Sequence, residues 1–156
     1  MQQQRWTERS ICLLERELEI NLFSARRLAE TEKLTGQCLM KQYDCQIFKN
    51  IKQPIDDLSR AHFWEFFDLN NGEKGSLNLI SIANQFVHSY INCPFFEEGF
   101  LFGFLVCSDR KKTTSIFLVP LKTIKQIFLD VINDEIFRVE SRRNPKTGEF
   151  RKTKIS

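Results

Sequence analysis

The hydrophobic pattern of this chain changes period at "NCPFFEEG" (Asn92–Gly99), and no single class of secondary structure can satisfy both halves. Before that point apolar residues recur mainly at helical spacing. After it they fall into short unbroken runs bounded by turn-forming residues. The pattern predicts an α+β fold: three to four helices in the N-terminal half, then an antiparallel β-hairpin, a covering helix and a terminal β-hairpin. A single domain is expected over 1–156, helical over about 7–92 and β-rich over about 99–156, and 156 residues with 42% apolar composition suffice for one buried core.

In the first half, Thr7 can cap a helix in which Ile11, Leu14, Leu18, Leu22, Ala25 and Leu28 form one stripe, running to about Lys33. Gly36 is expected to stop it. Leu39, Tyr43 and Ile47 continue at a spacing of four and predict a second helix ending before Pro54. Asp56 and Asp57 can cap a third through "LSRAHFWEFFDL", whose crowd of aromatic residues requires a central position. "NNGEKG" (Asn70–Gly75) is turn chemistry, after which Ser76 is expected to cap a helix from Leu77 to Ile91. The N-terminal Gln2–Gln4 run is expected to be disordered.

In the second half, "LFGFLVC" and "TSIFLV" flank the polar stretch Ser108–Thr114 and predict a hairpin. Pro120 then opens a helix with Leu121, Ile124, Phe128 and Val131 on one face. In the last segment, "NPKTG" joins two short runs, with Pro145 fixing φ and Gly148 free to take the left-handed position, which predicts a terminal hairpin whose apolar side packs on the protein.

The longest apolar run, Phe100–Cys107, has eight residues, against about twenty for a membrane-spanning helix. With no signal-like segment at the N-terminus, a cytoplasmic location is expected. Five cysteines without a C-x-x-C pair predict free thiols rather than a disulfide framework or a metal centre, and no cofactor is expected. The sequence contains no G-x-S-x-G, P-loop, G-x-G-x-x-G or H-E-x-x-H pattern.

Charge is unevenly distributed. Residues 108–156 carry 12 basic and 6 acidic groups, net +6, against +1 for residues 1–60 and −4 for residues 61–107. Arg138, Arg142, Arg143, Lys146, Arg151 and Lys152 cluster in the terminal hairpin, and Arg110, Lys111 and Lys112 at the tip of the earlier one. Arg142, Arg143, Lys146, Arg151 and Lys152 are expected on one exposed surface. These nine cations are the predicted partner-binding residues of a small noncatalytic binding or regulatory protein that meets a nucleic-acid backbone or an acidic protein surface.

Two other readings compete. Asn84 and His88 are four apart, so a helix puts them on one face, where an imidazole could act as general acid–base with Asn84 orienting it or a phosphate. "ANQFVH" resembles the end of the R-N-x-x-x-H helix signature of HEPN-type RNases, which implies a helical bundle cutting RNA at a dimer interface, with Asn84 and His88 in the site. Ala83 stands where that family has its arginine, the cation expected to stabilise phosphate charge in the transition state. In the third reading the stripe Ile11, Leu14, Leu18 and Leu22 supplies a docking or self-association face, giving a homodimer.

Overall fold

The computed structural model describes residues 6–52 and 55–155, with side chains up to residue 150. The Gln2–Gln4 run and Pro54 lie outside the described residues. The first helix, α1 (Glu8–Glu30), starts as its sequence dictates: Thr7 Oγ1 accepts from Ser10 N at 3.2 Å. It ends three residues earlier than expected. Glu32 takes the left-handed conformation (φ 56°), Glu32 N donates to Ala29 O and Lys33 N to Leu28 O, closing the last turn by a Schellman-type motif without glycine. Gly36, the expected stop, instead opens the short helix α2 (Gly36–Met40), capped by Thr35.

The predicted second helix is largely a strand, β1 (Gln42–Lys49). A spacing of four fits one helix face and also one strand face, where residues i, i+2 and i+4 point the same way, and Tyr43, Cys45 and Ile47 all turn to the same core. The aromatic segment forms only a short 3-10 helix, Arg60–Glu65, after a turn in which Asp56 Oδ1 accepts from Ser59 N at 2.8 Å. Phe63 and Phe67 from this segment are buried, while Trp64 is half exposed, so the segment is a cover rather than a central helix.

Ser76, the expected cap, lies inside β2 (Glu73–Asn78), opposite Asp44 of β1. The cap is Asn78, whose Oδ1 accepts from Ser81 N at 2.8 Å and starts α3 (Leu79–Val87). β3 (Ser89–Glu97) then turns through Glu98 and Gly99, both at positive φ, into β4 (Phe100–Ser108). Pro94 is tolerated because β3 is an edge strand. The β4–β5 hairpin is as predicted, with β5 (Ser115–Pro120) leading directly into α4 (Leu121–Ile132).

The five strands form one antiparallel sheet in the order β2-β1-β5-β4-β3. Its two faces are both covered. Phe104, Val106, Phe117 and Val119 pack against α1, α3 and α4 through residues such as Leu22, Phe86 and Ile127. Leu105, Cys107, Ile116 and Leu118 pack under Ile55, Phe63 and Phe67. Double-sided burial explains why β4 and β5 read as continuous apolar runs instead of alternating ones.

The fold is α+β, but the N-terminal half contains one long helix, with β1 and β2 inside the stretch expected to be helical. Leu18 and Leu22 of the α1 stripe are spent in the core, and Leu14 packs against it. Among the described residues no helix is long and apolar enough to cross a membrane. All five cysteines are free; burial pushes the thiols of Cys38, Cys45 and Cys107 up to about 11.

The terminal hairpin forms as expected, β6 (Val139–Arg143) pairing with β7 (Phe150–Ile155) as a separate two-stranded sheet. Gly148 sits at φ 73° and donates to Asn144 O. Its apolar side is not packed away: Phe137 is 85% and Phe150 70% exposed. The five-stranded sheet already has both faces filled by other segments.

Candidate functional site

The three elements that meet at the C-terminal end of α3 create a cleft of about 440 Å³. α3 packs along α1, which brings Arg26 beside the last turn of α3. The β4–β5 connection is tied to the same place. Gln85 Oε1, buried in α3, accepts from Ser108 N at 2.9 Å, and Asp109 N donates to His88 O at 3.3 Å. Lys111 N and Lys112 N both donate to Ser108 O, curling the connection so that Arg110 and Lys111 line the cleft.

His88 is the C-terminal cap of α3, not an interior residue of a longer helix, and this exposes its ring. Arg26 Nη1 lies 2.8 Å from His88 Nε2, while Arg26 Nε donates to Glu30 at 2.8 Å. A guanidinium has only donors, so Nε2 must accept and the ring hydrogen is on Nδ1. Hydrogen bonding to Arg26 is the main reason the Glu30 carboxyl lies below its ordinary range. Asn84, one turn before His88, also lines the cleft; its buried Oδ1 has no hydrogen-bond partner among the described residues.

Four of the residues singled out in the sequence, Asn84, His88, Arg110 and Lys111, are therefore brought together. Lys112 is not with them. It pairs with Asp109 at 2.7 Å and lies over the Tyr90 ring at 3.9 Å. In the terminal hairpin, Arg138 pairs with Glu140 at 3.0 Å, and Arg143 donates to Gly148 O while lying over Phe150. Arg142 and Lys146 are exposed. Arg142 and Arg143 are consecutive in β6 and so project from opposite faces, which corrects the expectation of one shared surface. The side chains of Arg151 and Lys152 lie outside the described residues.

Arg26 was absent from the sequence reading. It borders the buried positions Ala25 and Ala29 on α1, and nothing local marks a partner 62 residues away. It also changes the meaning of Ala83. That residue is fully buried in the core, with no room for a cation, and the arginine near His88 comes from another helix. The helical bundle implied by the "ANQFVH" resemblance is not the fold found, because a five-stranded antiparallel sheet organises the molecule. Comparisons with protein-family models, curated proteins and solved structures find no match to this chain.

Among the described residues no group of three or more histidine, cysteine, aspartate or glutamate side chains is arranged to hold a metal ion. The cleft is instead lined by three permanent cations, Arg26, Arg110 and Lys111, and one carboxylate, Asp109, which already pairs with Lys112; Glu30, the partner of Arg26, is not part of the lining. Such an arrangement suits an anionic oxygen ligand.

Proposed function

We propose that this chain is a noncatalytic nucleic-acid-binding protein whose cleft at the end of α3 grips the phosphate backbone, with the terminal hairpin as a second basic contact. The observation that carries this reading is the convergence of Arg26, Arg110 and Lys111, from two separate parts of the chain, around His88. Binding is favoured over cleavage because the carboxylates beside His88 that could act as its acid–base partner are already paired, Glu30 with Arg26 at 2.8 Å and Asp109 with Lys112 at 2.7 Å. Among the described residues no phenylalanine, tyrosine or tryptophan lines the cleft to stack a base, so the recognition proposed is of backbone charge and not of sequence.

A titration with single- and double-stranded DNA and RNA at two salt concentrations tests the proposal. Affinity must fall as salt rises, with little dependence on base sequence. Absence of binding at low salt removes it, and shortening of the RNA during the titration would restore the hydrolytic reading with Asn84 and His88. A second reading, an acidic protein partner at the hairpin, is favoured by the uncovered Phe137 and Phe150 beside exposed cations. It predicts that hairpin substitutions abolish partner capture while nucleic-acid binding persists.

A further inference from the structure

We propose that His88 gates the cleft through its protonation, so that phosphate binding strengthens as pH falls; this rests on the phosphate-binding reading of the same cleft. The 2.8 Å contact from Arg26 Nη1 exists only while His88 Nε2 offers a lone pair. A proton on Nε2 turns the acceptor into a second donor and sets one cation against another, and the contact opens. Arg26 Nη1 is then free for a phosphate oxygen, and the imidazolium adds a charge to the wall. Both effects favour the anion, so bound proton and bound phosphate promote each other.

The surroundings of His88 allow this without dismantling the cleft. From α1, Glu30 holds Arg26 Nε at 2.8 Å, which keeps the guanidinium in place when Nη1 is released. From α3, Asn84 faces the cleft and is uncharged. From the β4–β5 connection come Asp109, Arg110 and Lys111; the Asp109 carboxylate is occupied by Lys112 at 2.7 Å, leaving the two other side chains to the ligand. His88 is one of only two histidines in the chain. The other, His62, lies in the 3-10 segment beside Trp64, away from the cleft, and serves as an internal control.

The test is fluorescence anisotropy with a labelled single-stranded oligonucleotide, titrated against salt at about pH 5.5 and about pH 8, for the full chain and for His88→Gln and His62→Gln. Glutamine keeps an acceptor for Arg26 and does not titrate. The unsubstituted protein and His62→Gln should bind roughly five- to tenfold more tightly at the lower pH, with a salt slope steeper by about 0.7, the increment for one added cation on a single strand. His88→Gln should show neither change. A second measurement needs no ligand: the Arg26 side-chain NMR signals should move over the same pH range in the unsubstituted protein and stay fixed in His88→Gln. Equal pH dependence in His88→Gln, or Arg26 signals indifferent to pH, overturns the gating alone. No salt-dependent binding at either pH overturns the cleft reading and the gating with it.

Discussion

Neutralising the loop side of the cleft, Arg110→Gln with Lys111→Gln, separates an electrostatic role of these residues from a structural one. Both side chains are exposed, and the turn they belong to is held by backbone groups: Lys111 O accepts from Thr114 N and Ser115 N, and Ser108 O from Lys111 N. Glutamine preserves all of these bonds, so stability should change by no more than about 0.5 kcal/mol per site. Binding should change far more. The three cleft cations contribute about −2.7 to the salt slope on duplex DNA, at about −0.9 per neutralised phosphate, which is a roughly 40-fold share of the loss of affinity between about 50 and 200 mM salt, in addition to the contribution of the terminal hairpin. With Arg26 alone remaining in the cleft, the slope becomes shallower by about 1.8 and the loss over the same range shrinks by a factor of about 12. Anisotropy titrations across that range, with a thermal melt of each protein, read both quantities. An unchanged slope in the folded double variant would show that the backbone is not held at this cleft, and the terminal hairpin would become the site to test.

Three further outcomes follow from the fold. Asp130 of α4 accepts from Lys41, Tyr43 and Gln126, and although burial pushes its carboxyl up, those hydrogen bonds outweigh burial and hold it below the ordinary range. Its contribution is present above the unfolded-chain carboxylate range and lost as pH falls through the folded value; Asp130→Asn should cost about 1–3 kcal/mol near neutrality, and denaturant melts at neutral and acidic pH should show the gap to the unsubstituted protein narrowing in acid. Phe104→Ala empties a fully buried position packed edge-on against Phe86 at 6.1 Å, and chemical unfolding should show a loss of about 3–5 kcal/mol; a smaller loss would mean that the core collapses around the vacancy. Arg142→Glu, in a hairpin that forms its own sheet, should leave the melting temperature within a few degrees, whereas partial unfolding would show that Arg142 is a structural partner of the main sheet.

The parts of this fold that could be read from the sequence are those whose cause is local. Thr7 caps α1, and Pro120 starts α4, because each acts on its own next few residues. The β4–β5 and β6–β7 hairpins have partners joined by a short polar connection, so the chain itself limits how they can pair. β1, β2 and β3 were not legible in that way. β1 pairs with β2 and β5 from opposite sides, and the four-residue step of Tyr43 and Ile47 became an alternating strand face only once those neighbours supplied hydrogen bonds. The N-x-x-x-H spacing did place Asn84 and His88 together, since one helical turn fixes that distance. Whether they formed a site was a tertiary decision. Arg26 reaches His88 because α1 packs on α3, and Arg110 and Lys111 arrive because Ser108 is anchored to Gln85. Charges distant in sequence are brought together by the burial of apolar faces, whose periodicity selects which sides of two elements meet but carries no mark of the polar side chains left at the rim.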